Sequence, residues 1–138
     1  MMIARRSLLG GALALAGAFY AGVALTGSAR AGGPPAPFDA QSFEAAQKAD
    51  KPILVEITAP WCPACAAQRP IIERLRALPR FDELQIFTID FDTQKELMRR
   101  FGATLQSTLI GFKGPQEIGR SIGETQSEWI ESLLDKTL

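Results

Sequence analysis

Apolar positions along the chain change their spacing several times, and each change marks an element. Leu8 to Leu25 is an uncharged run of Leu, Ala and Gly. From Phe38 to Asp50 the pattern turns helical: Asp39 is a natural N-cap, Phe43, Ala46 and Gln47 follow at helical spacing, and Lys51-Pro52 ends the element. Ile53-Leu54-Val55-Glu56-Ile57-Thr58 is β-branched and apolar apart from one acid, the pattern of a strand covered on both faces. After the loop Ala59-Pro60-Trp61, a helix is predicted over Pro63 to Ala77, with Ile71, Ile72, Leu75 and Leu78 on its inner side and a kink at Pro70.

Leu84 to Asp90 predicts a second buried strand. Thr93-Gln94-Lys95-Glu96 has the form of a capping box and opens a helix through Phe101, closed by Gly102. Thr108 to Lys113 and Glu117 to Ile122 read as two strands joined at Gly114-Pro115. A second capping box, Thr125-Gln126-Ser127-Glu128, starts a last helix whose inner face is Trp129, Ile130, Leu133 and Leu134. The β-α-β crossover requires parallel strands and the late β-turn-β an antiparallel pair. The pattern therefore predicts an α/β domain, a mixed sheet of about four strands with helices on both faces.

The opening run belongs to a different kind of segment. Arg5-Arg6 precedes it and Ala29-Arg30-Ala31 follows, which are the charged region and small-residue cleavage site of an export signal over residues 1–31. Arg5-Arg6-Ser7-Leu8-Leu9 resembles a twin-arginine signal. A retained membrane anchor is the alternative, since the run only just reaches the length of a spanning helix. Both readings place the domain outside the cytoplasm, in the periplasm, where cysteines oxidise. Residues 32–37, Gly32-Gly33-Pro34-Pro35-Ala36-Pro37, read as an extended linker, and 38–138 as the domain.

Cleavage after Ala31 changes the arithmetic. The chain has 138 residues, 15 basic and 15 acidic. Without residues 1–31, which hold Arg5, Arg6 and Arg30, 107 residues remain with 12 basic against 15 acidic, a net charge of −3. Such a balance argues against nucleic-acid binding through a basic surface. The absence of histidine excludes Ser-His-Asp triads, Cys-His dyads and His-ligated zinc.

The two cysteines, in Trp61-Cys62-Pro63-Ala64-Cys65, join the end of a buried strand to the start of a helix. A purely structural disulfide would close too small a loop to stabilise much. A zinc or iron–sulfur site needs about four ligands and so a dimer. Redox chemistry agrees with the local physics. A thiol at a helix N-terminus faces unpaired N–H groups and the positive dipole end, both of which favour thiolate. Pro63 suits the first helical position, and a second thiol one turn on can resolve a mixed disulfide.

Lys51 to Leu134 resembles a thioredoxin-fold domain. Lys51-Pro52-Ile53-Leu54-Val55-Glu56 resembles the family's central strand, and Ala59 to Cys65 its W-C-x-x-C motif. Pro70 falls where the family kinks its active-site helix, and Phe101-Gly102 with Thr108 to Gly114 resembles its late G-x-x-x-x-P-T-x-x-x-F-x-x-G stretch. The resemblance implies an exposed nucleophile at Cys62 and a buried resolving thiol at Cys65. Trp61, Pro63 and Ala64, with Gln106, Ser107 and Thr108, would form the substrate surface, although Trp61 also reads as an ordinary aromatic plug. Glu56 would exchange a proton with Cys65; the alternative is an edge-strand glutamate reaching water. The family's buried lysine partner is missing, since Thr88 stands in its place.

The sharpest departure is Ser107, where the resemblance implies a cis-proline. A cis bond before serine costs about 2.5–4 kcal/mol, so a trans bond is expected. Serine there would weaken docking, narrow specificity or admit a metal; more simply, its hydroxyl would cap the next strand. The function implied is an exported thiol–disulfide oxidoreductase, a reductant of protein disulfides supplied by a membrane electron-donor protein. It would act as a monomer, with no cofactor beyond the Cys62–Cys65 disulfide. Oxidation is disfavoured because the chain has no room for the large helical insertion of the family's exported oxidases. The alternatives are a thioredoxin-like metal carrier or chaperone using the same cysteines, and a redox-silent holdase.

Overall fold

The computed structural model describes residues 35–138; the segment read as an export signal and most of the segment read as a linker lie outside the described residues. Five strands and four helices follow in the order β1 (Ala36–Pro37), α1 (Ala40–Lys48), β2 (Pro52–Thr58), α2 (Pro63–Arg76), β3 (Gln85–Asp90), α3 (Lys95–Arg100), β4 (Thr108–Lys113), β5 (Gln116–Ile122) and α4 (Ser127–Asp135). A single 3₁₀ turn, Pro79–Phe81, joins α2 to β3. The sheet order is β1-β3-β2-β4-β5, with β1, β3 and β2 parallel and β4 and β5 antiparallel.

The mixed sheet is thus as expected with one strand more. Ala36–Pro37, read as linker, pairs with Phe87–Thr88 at the sheet edge. The segment is tied down by Phe38, whose N–H donates to the Thr88 carbonyl at 2.8 Å. Proline is tolerated there because an edge strand has a side that needs no donor.

Alternation along β2 decides which side chains meet which helices. Ile53, Val55 and Ile57 join Phe43 of α1 and Met98 of α3 in one core. Leu54 joins Ile72 and Leu75 of α2 and Ile130, Leu133 and Leu134 of α4 in the other. Glu56, two residues beyond Leu54, faces α2 by the same period.

Local capping follows the sequence at one helix and departs at two. The Asp39 carboxylate accepts the Ser42 N–H at 2.7 Å and caps α1. Gln94, not Thr93, precedes α3, because Asp90 takes both the hydroxyl and the N–H of Thr93 at 2.8 Å. Gln126, not Thr125, precedes α4, and the Glu124 carboxylate accepts the N–H groups of Thr125 and Gln126. α2 runs through Pro70, and Gly102 closes α3 in the left-handed region at φ +59°. Trp129, expected on the inner face of α4, is 60% exposed.

Candidate active site

β2 ends at Thr58 and α2 begins at Pro63, so the intervening loop sits at the carboxyl end of the sheet's central strand. Cys62 is the N-cap of α2 and Pro63 its first residue. Cys62 and Cys65 form a disulfide with Cα atoms 5.3 Å apart. The Cys65 N–H donates to Cys62 Sγ at 3.0 Å, so one of the helix's unpaired donors is spent on that sulfur. The same N–H, the dipole of a 14-residue helix and the absence of any acid in its first turn favour a thiolate at Cys62 after reduction.

In the disulfide form Cys62 is not the exposed member of the pair. It is 3% accessible against 5% for Cys65, because both pack with Ala59 and against Ala64 and Phe91. The asymmetry lies elsewhere. Cys65, and not Cys62, lines a cavity of about 300 Å³ together with Glu56, Thr58, Gln68, Arg69, Glu73 and Thr88.

Glu56 pairs in register with Thr88 on β3 and Leu109 on β4, so it occupies the central strand and not an edge. Burial pushes its carboxyl up to about 7, with the Glu73 charge adding to the rise. Arg69, the Thr88 hydroxyl and Arg76 pull in the other direction. A carboxyl in the neutral range, in the same cavity as a thiol, can both take and return a proton near pH 7.

Trp61 is 55% exposed and is no buried plug. Its indole N–H donates to Asp92 at 2.8 Å, and its ring meets Phe91 edge-on at 5.9 Å. Pro63 is exposed and Ala64 partly so. On the facing loop, Thr108 is buried opposite Ile57 of β2, so by register Ser107 falls level with Thr58, the last residue of that strand, and Gln106 just past it.

No peptide bond among the described residues is cis, so the Gln106–Ser107 bond is trans. Ser107 instead adopts φ +54°. Its hydroxyl does not cap β4; the Thr108 hydroxyl does the local bonding, to the Leu105 carbonyl at 2.8 Å. The Ser107 carbonyl accepts from the Gly123 N–H at 3.0 Å and from Gln68 at 3.2 Å.

Gln68 escaped the sequence reading. It is 3% accessible and donates through Nε2 to both Ser107 and Glu124, pinning the facing loop to α2 one turn beyond Cys65. Its signal was present: Cys65, Gln68, Ile72 and Leu75 are the buried residues of α2, and one of them is polar.

The conformation of Ser107 makes a prediction. Proline fixes φ near −65°, so Ser107→Pro must rebuild the loop and is expected to cost more than about 1 kcal/mol. Ser107→Gly, at home at positive φ, should stay within about 0.5 kcal/mol of the parent, as relief of backbone strain offsets a freer unfolded chain. Urea unfolding midpoints check both, and a proline variant as stable as the parent contradicts the observed backbone.

A strand-to-helix disulfide at the centre of this mixed sheet defines a thiol–disulfide oxidoreductase. Comparison with known proteins is specific about which kind. The Thioredoxin family model matches residues 35–136, and the chain belongs to the thioredoxin family. Thioredoxin of Alicyclobacillus acidocaldarius subsp. acidocaldarius is 32% identical over 97 residues, 70% of this chain and 91% of that protein. The crystal structure of Trxlp from Edwardsiella tarda EIB202 superposes with a TM-score of 0.70 at 38% identity, covering 73% of this chain and 98% of that one. Oxidised thioredoxin O2 from Arabidopsis thaliana shares the fold, with a TM-score of 0.60 at 19% identity over 70% of this chain and 84% of that one. Thioredoxin-family proteins act on protein disulfides and need no cofactor beyond the redox-active cysteines. Among the described residues no group of three or more His, Cys, Asp or Glu is placed to hold a metal ion.

Proposed function

We propose that the protein is an exported reductant of protein disulfides. The observation that carries the chemistry is the Cys62–Cys65 pair at the N-terminus of α2, with Cys65 alone opening on the Glu56 cavity. In the reduced protein the Cys62 thiolate attacks a substrate disulfide; one substrate sulfur leaves as thiol and the other becomes bonded to Cys62. Cys65 gives its proton to the Glu56 carboxylate and attacks Cys62 Sγ. The Cys62–Cys65 disulfide forms and the second substrate sulfur departs as thiolate. Two electrons pass to the substrate, and the protein ends in the oxidised form. Trp61, next to Cys62 in the chain, and the Gln106-Ser107-Thr108 loop, tied to α2 through Gln68, would contact the substrate.

The export half of the proposal rests on residues 1–31, with Arg5-Arg6, the uncharged run and Ala29-Arg30-Ala31. Outside the cytoplasm no thiol pool would restore the dithiol, so a membrane protein is the expected electron donor. The helices of the described residues are the four given above, without the large insertion of exported oxidases.

Two measurements test the two halves. The full chain should speed the reduction of insulin by dithiothreitol, and complete inactivity of a folded, fully reduced sample would overturn the catalytic reading. Expressed in a bacterium with a twin-arginine system, it should accumulate in the periplasm with Gly32 as its first residue. A cytoplasmic product starting at Met1 would overturn export.

A further inference from the structure

The cavity behind the disulfide holds more charge than a simple acid–thiol pair requires. Four ionisable side chains reach it from α2 and β2: Glu56, Cys65, Arg69 and Glu73. The other residues that line the cavity carry no charge. β3 contributes Thr88, β4 contributes Leu109 by register, and the edge segment contributes Pro35. Two cations on α2 act on the carboxyl, Arg69 and Arg76.

These two are not equivalent. Arg76 is engaged by Glu73, its Nη2 lying 2.7 Å and its Nε 2.8 Å from Glu73 Oε2. Its pull on Glu56 is the weaker of the two, and the Glu73 carboxylate that it pairs with pushes the other way. Another arginine of the helix, Arg74, donates to the Ser127 hydroxyl of α4 and does not line the cavity. Arg69 makes no ion pair among the described residues, and it lines the cavity between Cys65, one turn before it, and Glu73, one turn after. Among the residues that line the cavity, Arg69 is the one that carries a positive charge.

We propose that Arg69 is a positioning residue for the resolving step: its guanidinium, brought by α2 into the cavity that Glu56 and Cys65 share, holds Glu56 as the carboxylate that accepts the Cys65 proton. The inference rests on the reading of Glu56 as that acceptor. When the proton moves, Cys65 becomes a thiolate and Glu56 a neutral acid, so negative charge shifts from one side of the cavity to the other while Arg69 remains beside both. Burial and Glu73 favour the protonated acid, which cannot accept a proton. Arg69 opposes them, and the directions of the shifts at Glu56 agree with this assignment.

The experiment separates the two assignments. A chromogenic aryl disulfide mixed with the reduced full-length protein releases two aryl thiolates. The first marks attack by Cys62 and the second expulsion by Cys65. The rate of the second release is followed from pH 5 to 9 in the parent, Arg69→Gln, Arg69→Lys, Glu56→Gln and the Arg69→Gln, Glu56→Gln double variant. Arg69→Gln is expected to move the midpoint of the profile upward by roughly one pH unit, the low end of what an adjacent opposite charge produces, and so to slow the step about tenfold on the acid side. Arg69→Lys should restore most of the parent profile, and Arg69→Gln should add nothing in the Glu56→Gln background. An Arg69→Gln profile equal to the parent's, with Glu56→Gln altered, overturns the role of Arg69 alone. Additive loss in the double variant does so as well, since it would show that Arg69 acts through the structure of α2. A Glu56→Gln profile equal to the parent's overturns the acceptor reading and the proposal with it.

Discussion

Cys62→Ser is expected to reduce insulin-disulfide reduction to the uncatalysed level, while leaving the fold intact. The substitution removes one sulfur and the disulfide it forms, in a loop whose closure contributes little entropy because only two residues separate the cysteines. The loss is chemical. Serine at the N-cap of α2 can still accept the Cys65 N–H, so the helix keeps its cap, but a hydroxyl at that position is no nucleophile toward a disulfide. Cys65 does not substitute for it, because it lies within α2 and not at its N-cap, and it opens on the Glu56 cavity behind the disulfide. Insulin turbidity checks the activity and circular dichroism the fold. A serine variant that retains a substantial fraction of the parent rate would mean that the exchange does not begin at Cys62.

Glu56→Gln is expected to stabilise the oxidised protein, and by an amount that depends on pH. The folded carboxyl titrates near 7 against an ordinary value of 4.5. Its folded pKa is raised, so its contribution is fully present below pH 4.5 and is lost as pH rises through 7. Between those limits the folded state holds the proton more tightly than the unfolded chain, and stability falls with pH. The difference corresponds to about 3 kcal/mol above pH 7. Glutamine has nothing to lose in this window. The variant should match the parent at pH 4 and exceed it by about 3 kcal/mol at pH 8, as read from urea unfolding of the two oxidised proteins. Parallel stability curves would show that Glu56 is solvated. Retaining an acid at this cost is what a site that needs the proton would do.

The same residue shows how far the sequence carries. One acid within Ile53 to Ile57 was enough to mark Glu56, because an ionised charge is costly in a strand covered on both faces. Its partners were not legible. Arg69 is an exposed residue of α2 next to Pro70, and only the packing of α2 over β2 shows that its side chain lines the cavity. The Cys62–Cys65 pair, the strand before it and the helix after it were legible from local chemistry, since β-branched spacing, the Pro63 start and the C-x-x-C interval all lie within a few residues. Ala36–Pro37 was not, because a two-residue edge strand has no pattern of its own and exists only where β3 offers Phe87 and Thr88. Thr93 failed as a cap for a similar reason. Asp90, at the end of β3, competes for its hydroxyl and wins. The trans bond at Ser107 followed from the cost of the cis form, whereas its positive φ depends on bonds to Gln68 and Gly123 that no local pattern encodes.

The proposed mechanism divides the labour between two thiols: Cys62 attacks and Cys65, with its proton passed to Glu56, resolves. Intact mass of the Cys65→Ala variant after mixing with oxidised insulin measures that division directly. A single covalent adduct linked through Cys62, stable until dithiothreitol is added and absent from Cys62→Ser, is the predicted result. An adduct that forms on the Cys62→Ser variant, or none on Cys65→Ala while the parent reduces insulin, would contradict it.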